Sequence, residues 1–244
     1  MDLAAFGRYV PELAAGLPQT LLLVGQSLVL GFGIAVLVAL MRLSPNRLVS
    51  GFAYGFVYVF RSTPLLVQIF LIYYGSGQFR PFLQDIGLWV FFRDAWFCAV
   101  LALTLNTGAY TSEIIRGGIQ SVPHGQLEAG RAVGMTQLAL FRRITFPIAI
   151  RQALPAYGNE IILMVKASSL ASTITILEIT GIAKKIIAST FQPVEVFIIA
   201  GAFYLAINFV LTQGIRYAEF RLSPKSPEAR ARAEERRQKA VLAR

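Results

Sequence analysis

One cysteine, Cys98, and one histidine, His124, stand in a chain of 244 residues. A lone thiol closes no intrachain disulfide, and Cys98 lies in an apolar run, where a free thiol packs as a small hydrophobe. His124 has no acid, thiol or second imidazole beside it in sequence, which argues against a metal site, since such sites draw on several ligands. The chain also lacks the G-x-x-x-x-G-K-[ST] phosphate loop, the G-x-S-x-G elbow and the H-E-x-x-H metal helix. No catalytic residue and no metal ligand is therefore expected, and any ATP must be bound by another polypeptide.

Charge is scarce as well. Only 15% of residues are Asp, Glu, Lys or Arg, against about a quarter in soluble domains, while 55% are apolar. With a mean hydropathy of +0.59, the chain reads as a membrane protein. The first sixteen residues, MDLAAFGRYVPELAAG, lack a basic segment followed by a short apolar core, so the first span is expected to stay in place. No internal repeat is visible, which disfavours the duplicated architecture of many secondary transporters.

An uncharged run covers 17–40, long enough at 1.5 Å per residue to cross about 30 Å of hydrocarbon. A second, 52–75, is interrupted only by Arg61 and Pro64. A third, 96–115, contains Asn106 and Glu113, and 196–215 is uncharged throughout. The stretch 148–170 carries Arg151, Glu160 and Lys166, yet IILMV and its small residues permit a span. The expectation is an all-α membrane protein of five transmembrane helices, in a permease domain 1–222.

With the N-terminus outside, the inner connections hold 16 of the 23 Lys and Arg residues and the outer ones hold 5. That asymmetry predicts N-terminus out and C-terminus in. A net charge of +10 would suggest nucleic acid in a soluble protein. Here the cations collect in loops and tail, so membrane lipid is the expected partner and nucleic acid is not. The segment 171–194 reads as a short outer-surface helix and loop. The tail 223–244, SPKSPEARARAEERRQKAVLAR, is charged and reads as solvated.

A polar stretch, 121–147, interrupts the apolar pattern. Pro123 suits a first helical turn, Gly134 a helix stop and Thr136 the N-cap of a following helix, so two short helices are predicted. Composition alone leaves open whether this is a surface hairpin joining two spans. Its spacing adds to that: Glu128-Ala129-Gly130, then Gly134, Ile144 and Pro147 resemble the EAA signature of permease subunits in ATP-binding-cassette importers. Gly130 stands where that family usually has Ala, and Phe146 where it usually has Leu.

The resemblance covers about 16–220. GLPQTLLLV, FRSTPLLVQIFLIYYG, LNTGAYTSEIIRGGIQSVPHGQ and LPAYGNEIILMVKASSLASTITILEITGIA are similar to polar-amino-acid permeases of the histidine and octopine type. The resemblance implies a type I importer fold in a bacterial inner membrane. It also implies a second related permease as partner, in a heterodimer, and a periplasmic substrate-binding protein. A cytoplasmic ATPase dimer would hold ATP and Mg²⁺ and dock on the 121–147 loop. Glu128, Ala129, Gly130, Arg131 and Gly134 are the residues expected at that contact. The implied substrates are basic or polar amino acids (arginine, lysine, histidine, ornithine) or opines.

Charges within spans are expensive and mark candidate sites. Arg61 either satisfies carbonyls freed by a break at Pro64 or meets a substrate carboxylate. Glu160 and Lys166 lie about 9 Å apart along a helix axis and about 120° around it, too far for an i,i+4 ion pair. They either grip the two ends of a zwitterion, as a pair at this spacing does in the resembled family, or pair with other helices. Asn106 and Gln68 on neighbouring spans are expected to add hydrogen bonds to substrate. Glu113 and Arg116 read as an i,i+3 surface pair. The alternative to the importer is a gradient-driven secondary transporter, which does not account for the 128–147 spacing.

Overall fold

A computed structural model describes residues 3–222. All regular structure among them is helical: α1 (Leu3–Ala14), α2 (Leu17–Arg42), α3 (Arg47–Ser62), α4 (Leu65–Gln78), α5 (Arg80–Asp85), α6 (Trp89–Phe92), α7 (Ala95–Gln120), α8 (His124–Ala132), α9 (Gln137–Leu140), α10 (Phe146–Ala167), α11 (Ile179–Thr190) and α12 (Pro193–Leu222). The expected tail, 223–244, lies outside the described residues.

Start and stop signals account for most boundaries. Pro18 opens α2, where a missing N–H costs nothing. Asn46 and Asp94 cap α3 and α7, their side chains accepting from Leu48 N and Trp96 N at 2.9 and 3.1 Å. A 3₁₀ turn at Ser168–Ile174 follows α10 and ends on Thr175 at φ 74°, a left-handed conformation uncommon for a β-branched residue.

Length and apolarity mark two single helices able to cross a membrane, Gly7–Arg42 (which joins α1 to α2) and Pro193–Leu222. Two bent pairs qualify if each counts as one crossing. The run at 52–75 is thus not one straight helix: α3 and α4 meet at 102° across Thr63–Pro64. Segment 137–174 and α11 meet at 46°.

α7 has 26 residues but is too polar to qualify by composition, although 96–115 read as a span. Its position explains this. α2 lies along α7 in the most extensive helix–helix contact of the fold, and α3, α4 and α10 pack on its other sides. Cys98, Ala99, Ala102, Leu103 and Ala109 are fully buried, so α7 is solvated by protein rather than by lipid. Gly108 lets α2 approach, since a Cβ there would meet Ile34 Cγ2 at 3.0 Å.

Three helices were not anticipated. α1 inserts Tyr9 and Leu13 into a cluster with Ile179, Ala183, Val196 and Ile199, and Tyr9 O–H donates to Gln192 Oε1 at 2.8 Å. α5 and α6, within the 76–94 connection, bury no residue and expose Phe79, Phe82 and Val90.

Candidate translocation cavity and coupling loop

The break between α3 and α4 frees backbone carbonyls where hydrocarbon offers no water to meet them. Gln68, in the first turn of α4, folds back over the break. Its Nε2 divides its donors among the carbonyls of Phe60 and Thr63 (2.9 and 3.1 Å) and Thr63 Oγ1 (2.8 Å). From α7, Asn106 Nδ2 donates to Gln68 Oε1 at 3.0 Å and reaches the Phe60 carbonyl at 3.4 Å. Two buried amides therefore staple the corner.

This arrangement bears on two sequence expectations. Gln68 has both ends of its amide engaged and does not line the cavity beside it. Arg61 does not satisfy the freed carbonyls, because Gln68 and Asn106 do. It is exposed at the cavity edge instead, its guanidinium 5.1 Å from the centre of the Tyr110 ring.

That cavity, about 550 Å³, is lined among others by Arg61, Thr63, Asn106, Tyr110, Glu160 and Leu163. Glu160 is 6% exposed. One oxygen, Oε1, accepts from Thr107 Oγ1 of α7 at 3.0 Å. Among the described residues, neither Glu160 nor Arg61 has an ion-pair partner. A buried carboxylate is costly unless paired, so a cationic group entering the cavity meets an acceptor already desolvated. Lys166, expected as the partner of Glu160, is exposed and absent from the cavity wall. The angular separation read from spacing puts the two on different faces of α10. The cation that does share the cavity with Glu160 is Arg61.

Residues 121–147 form two short helices and a π turn, Phe141–Thr145. Gly134 takes φ 77° after α8, the left-handed stop that glycine suits, and Thr136 Oγ1 accepts from Ala139 N at 3.3 Å as the cap of α9. Pro123 sits at the N-cap of α8, one position before the first turn. Glu128, Ala129, Arg131 and Gly134 are exposed, and Val133 and Leu138 beside them are 74% and 67% exposed. Gly130 is not on that surface. It is buried, and a Cβ there would lie 2.5 Å from Leu140 Cδ1 and 2.9 Å from Ile144 Cδ1. Gly130 thus lies on the inner side of α8, packed under Leu140 and Ile144, rather than on the exposed face.

Three further polar groups complete the picture. Glu113 accepts from Arg116 (2.6 to 3.1 Å), as the i,i+3 spacing predicts, and also from Arg42 Nε at the end of α2 (3.2 Å). Arg42 in turn lies 4.9 Å from the ring centre of Tyr54, tying α2, α3 and α7 together. Glu178, which nothing in the sequence singles out, is wholly buried. Its Oε1 accepts from Gly181 N at 2.8 Å, capping α11, and its Oε2 accepts from the Tyr204 hydroxyl of α12. Among the described residues, no group of three or more His, Cys, Asp or Glu could hold a metal ion.

Among the described residues the chain is a helical bundle with a broken helix, a charged cavity and an exposed interhelical loop, an architecture that fits a membrane transport component. Residues 29–224 match the family of binding-protein-dependent transport system inner membrane components, and the chain belongs to that family. It is 63% identical over 224 residues to the nopaline transport system permease protein NocM of Agrobacterium fabrum, covering 92% of this chain and 93% of that one. It is 52% identical over 218 residues to the octopine transport system permease protein OccM of Rhizobium meliloti, covering 89% of each. Identity to the histidine/lysine/arginine/ornithine transport system permease protein HisM of Salmonella typhimurium is 44% over 206 residues, 84% of this chain and 88% of that one. Among solved structures, a crystal structure of an amino acid ABC transporter with histidines superposes with a TM-score of 0.80 at 35% identity, covering 91% of this chain and 99% of that one.

Proposed function

We propose that this permease forms, with a second related permease, the translocation path of an ATP-driven importer for basic amino acids or their opine derivatives. Its support is the pairing of a buried, half-satisfied carboxylate, Glu160, with a cation, Arg61, across one cavity. The carboxylate suits the guanidinium or ammonium group shared by arginine, lysine, ornithine and the opines. The relatives' names, which cover nopaline, octopine and the basic amino acids, agree with that chemistry. Lys166 stays outside this assignment, and Gln68 and Asn106 act on it indirectly, by holding the corner that carries Arg61.

ATP and Mg²⁺ belong to a separate ATPase dimer docked on the exposed face of 121–147, through Glu128, Ala129, Arg131 and Gly134. Val133 and Leu138, apolar and exposed between those charges, fit a protein surface better than water. A periplasmic binding protein delivers substrate. In this reading the chain crosses the bacterial inner membrane five times, with its N-terminus outside and its C-terminus inside.

The test is uptake by the complete transporter in proteoliposomes. Replacing Glu160 with Gln keeps the hydrogen bond but removes the charge. Initial uptake of arginine should fall by about tenfold or more, the scale of a lost charge-assisted contact. The ATPase should still co-purify. Unchanged uptake would refute the cavity assignment, and uptake driven by an ion gradient without ATP would favour a secondary transporter.

A further inference from the structure

We infer that the groove between the first halves of α2 and α7, beside α6, holds one phospholipid whose head group carries a primary ammonium next to its phosphate. Its placement in the outer leaflet rests on the orientation proposed above; occupation of the groove does not.

The groove has a volume of about 720 Å³. Leu22, Val29 and Leu30 line it from α2, Phe97 and Val100 from α7, and Phe91 from α6. Leu22, Val29 and Leu30 are each more than half exposed, an apolar surface that water does not favour. Gly25 also lines it, and a Cβ there would meet nothing within 4 Å, so the space is open down to the backbone of α2. The neighbouring helices α5 and α6 point to the same surroundings. They bury no residue, and Phe82 and Val90 on them are exposed, as suits short helices lying in the lipid interface. Trp96, an aromatic of the kind that gathers at that depth, lines the groove as well.

Polar groups occur at one end only, and in an order that a phospholipid matches. Asp94 lines the groove at the start of α7. Its Oδ1 caps the helix by accepting from Trp96 N at 3.1 Å, and among the described residues its Oδ2 accepts no hydrogen bond. Arg93, next to it in the chain, is exposed, and neither residue has an ion-pair partner among the described residues. Half a turn further on, Trp96 Nε1 donates to Gln26 Oε1 at 3.0 Å, which leaves the Gln26 amide N–H groups unspent. Beyond these the lining is apolar to Val100, about 9 Å along α7 from Asp94. An ammonium meets Asp94, the phosphate meets Arg93, an ester carbonyl meets Gln26, and the acyl chain follows. The second permease fits this groove less well. The substrate cavity is lined from α7 by Asn106 and Tyr110, whereas Trp96, Phe97 and Val100 lie about 100° around the helix from them.

The test uses the complete transporter in bilayers of equal parts phosphatidylethanolamine and phosphatidylcholine with identical acyl chains. After extraction in mild detergent, native mass spectrometry counts the lipids that remain bound. Gly25→Phe fills the groove without displacing protein and replaces a poor helix former. It should remove one bound lipid per copy of this chain while every subunit is retained. The lipid lost should be phosphatidylethanolamine over phosphatidylcholine by about threefold, the scale of an exposed ion pair, because a quaternary ammonium has no N–H to offer Asp94. Asp94→Asn keeps an oxygen for the helix cap and removes the charge. It should leave the lipid count unchanged and bring the preference to about one to one. Equal lipid counts in wild type and Gly25→Phe, or a preference that survives Asp94→Asn, would overturn the inference. Loss of a protein subunit from Gly25→Phe with no loss of lipid would give the groove to a protein partner and overturn it too.

Discussion

Two carboxylates are buried among the described residues of this permease, and they are finished differently. Glu178 has each oxygen occupied from within the chain, by the Gly181 N–H and the Tyr204 hydroxyl, and no surface left to offer. Glu160 accepts one hydrogen bond, from Thr107, and faces a cavity with the rest of its capacity open. Burial alone does not separate a structural acid from a ligand-binding one, because both are desolvated. The unused acceptor capacity does, since a buried polar group is otherwise paired.

The strongest way to break that contrast is Glu178→Ala. It strips the Gly181 N–H at the first turn of α11 of its acceptor and leaves the Tyr204 hydroxyl only Thr180 Oγ1, at 2.9 Å. The loss should be about 3 kcal/mol or more, in the range seen when one partner of a buried charged network is removed. Thermal unfolding of the detergent-purified complex should show it as a clear fall in Tm, while Glu160→Gln should leave Tm near wild type. A Tm that falls as far for Glu160→Gln as for Glu178→Ala would erase the distinction.

Gln68→Leu comes next. It conserves much of the volume but strips the staple from the α3–α4 corner, leaving carbonyls of Phe60 and Thr63 unmet. A cost of about 1–3 kcal/mol is expected, with arginine uptake reduced because Arg61 rides on that corner. Protease accessibility near Thr63 would report the loosened corner, and wild-type resistance would count against the staple. The smallest effect belongs to Thr107→Val, which removes the one internal donor to Glu160. About 1 kcal/mol or less in stability and a severalfold change in uptake are expected. A loss as large as that of Glu160→Gln would mean that the carboxylate depends on Thr107 for its placement.

Much of this site was legible in the sequence, and the failures have physical causes. Pro64 marked the break, Gly134 and Thr136 marked the loop helices, and the Glu113–Arg116 spacing gave their ion pair, because each signal is local. Glu160 was legible as an expensive charge in an apolar segment. Gln68 read as a substrate contact because an amide near a substrate and an amide near a broken helix look alike until the chain's corner is seen. Lys166 was joined to Glu160 through the resembled family's charged pair at this spacing, and its angular offset puts it on another face of α10, exposed. Gly130 was expected at the ATPase contact because it falls within the EAA-like signature; the closeness of Leu140 and Ile144, distant in sequence, shows it on the inner side of α8. Glu178 gave no signal at all, since its partner Tyr204 lies 26 residues away on another helix. Tyr110 passed unnoticed for the same reason, its contact being with a helix distant in sequence.

The polarity of α7 bears on how the protein is made. A segment that is too polar to qualify as a span on its own leaves the ribosome after α2 and before α10 and α12. Insertion machinery that weighs each segment by its apolarity would hold α7 at a disadvantage as a solitary guest in lipid. Its side chains are at home only against neighbours, and α2, its most extensive partner, is already in place when it emerges. The bundle's centre thus follows one neighbour, α2, and precedes another, α10, so the order of synthesis gives it a wall on one side before the other is made.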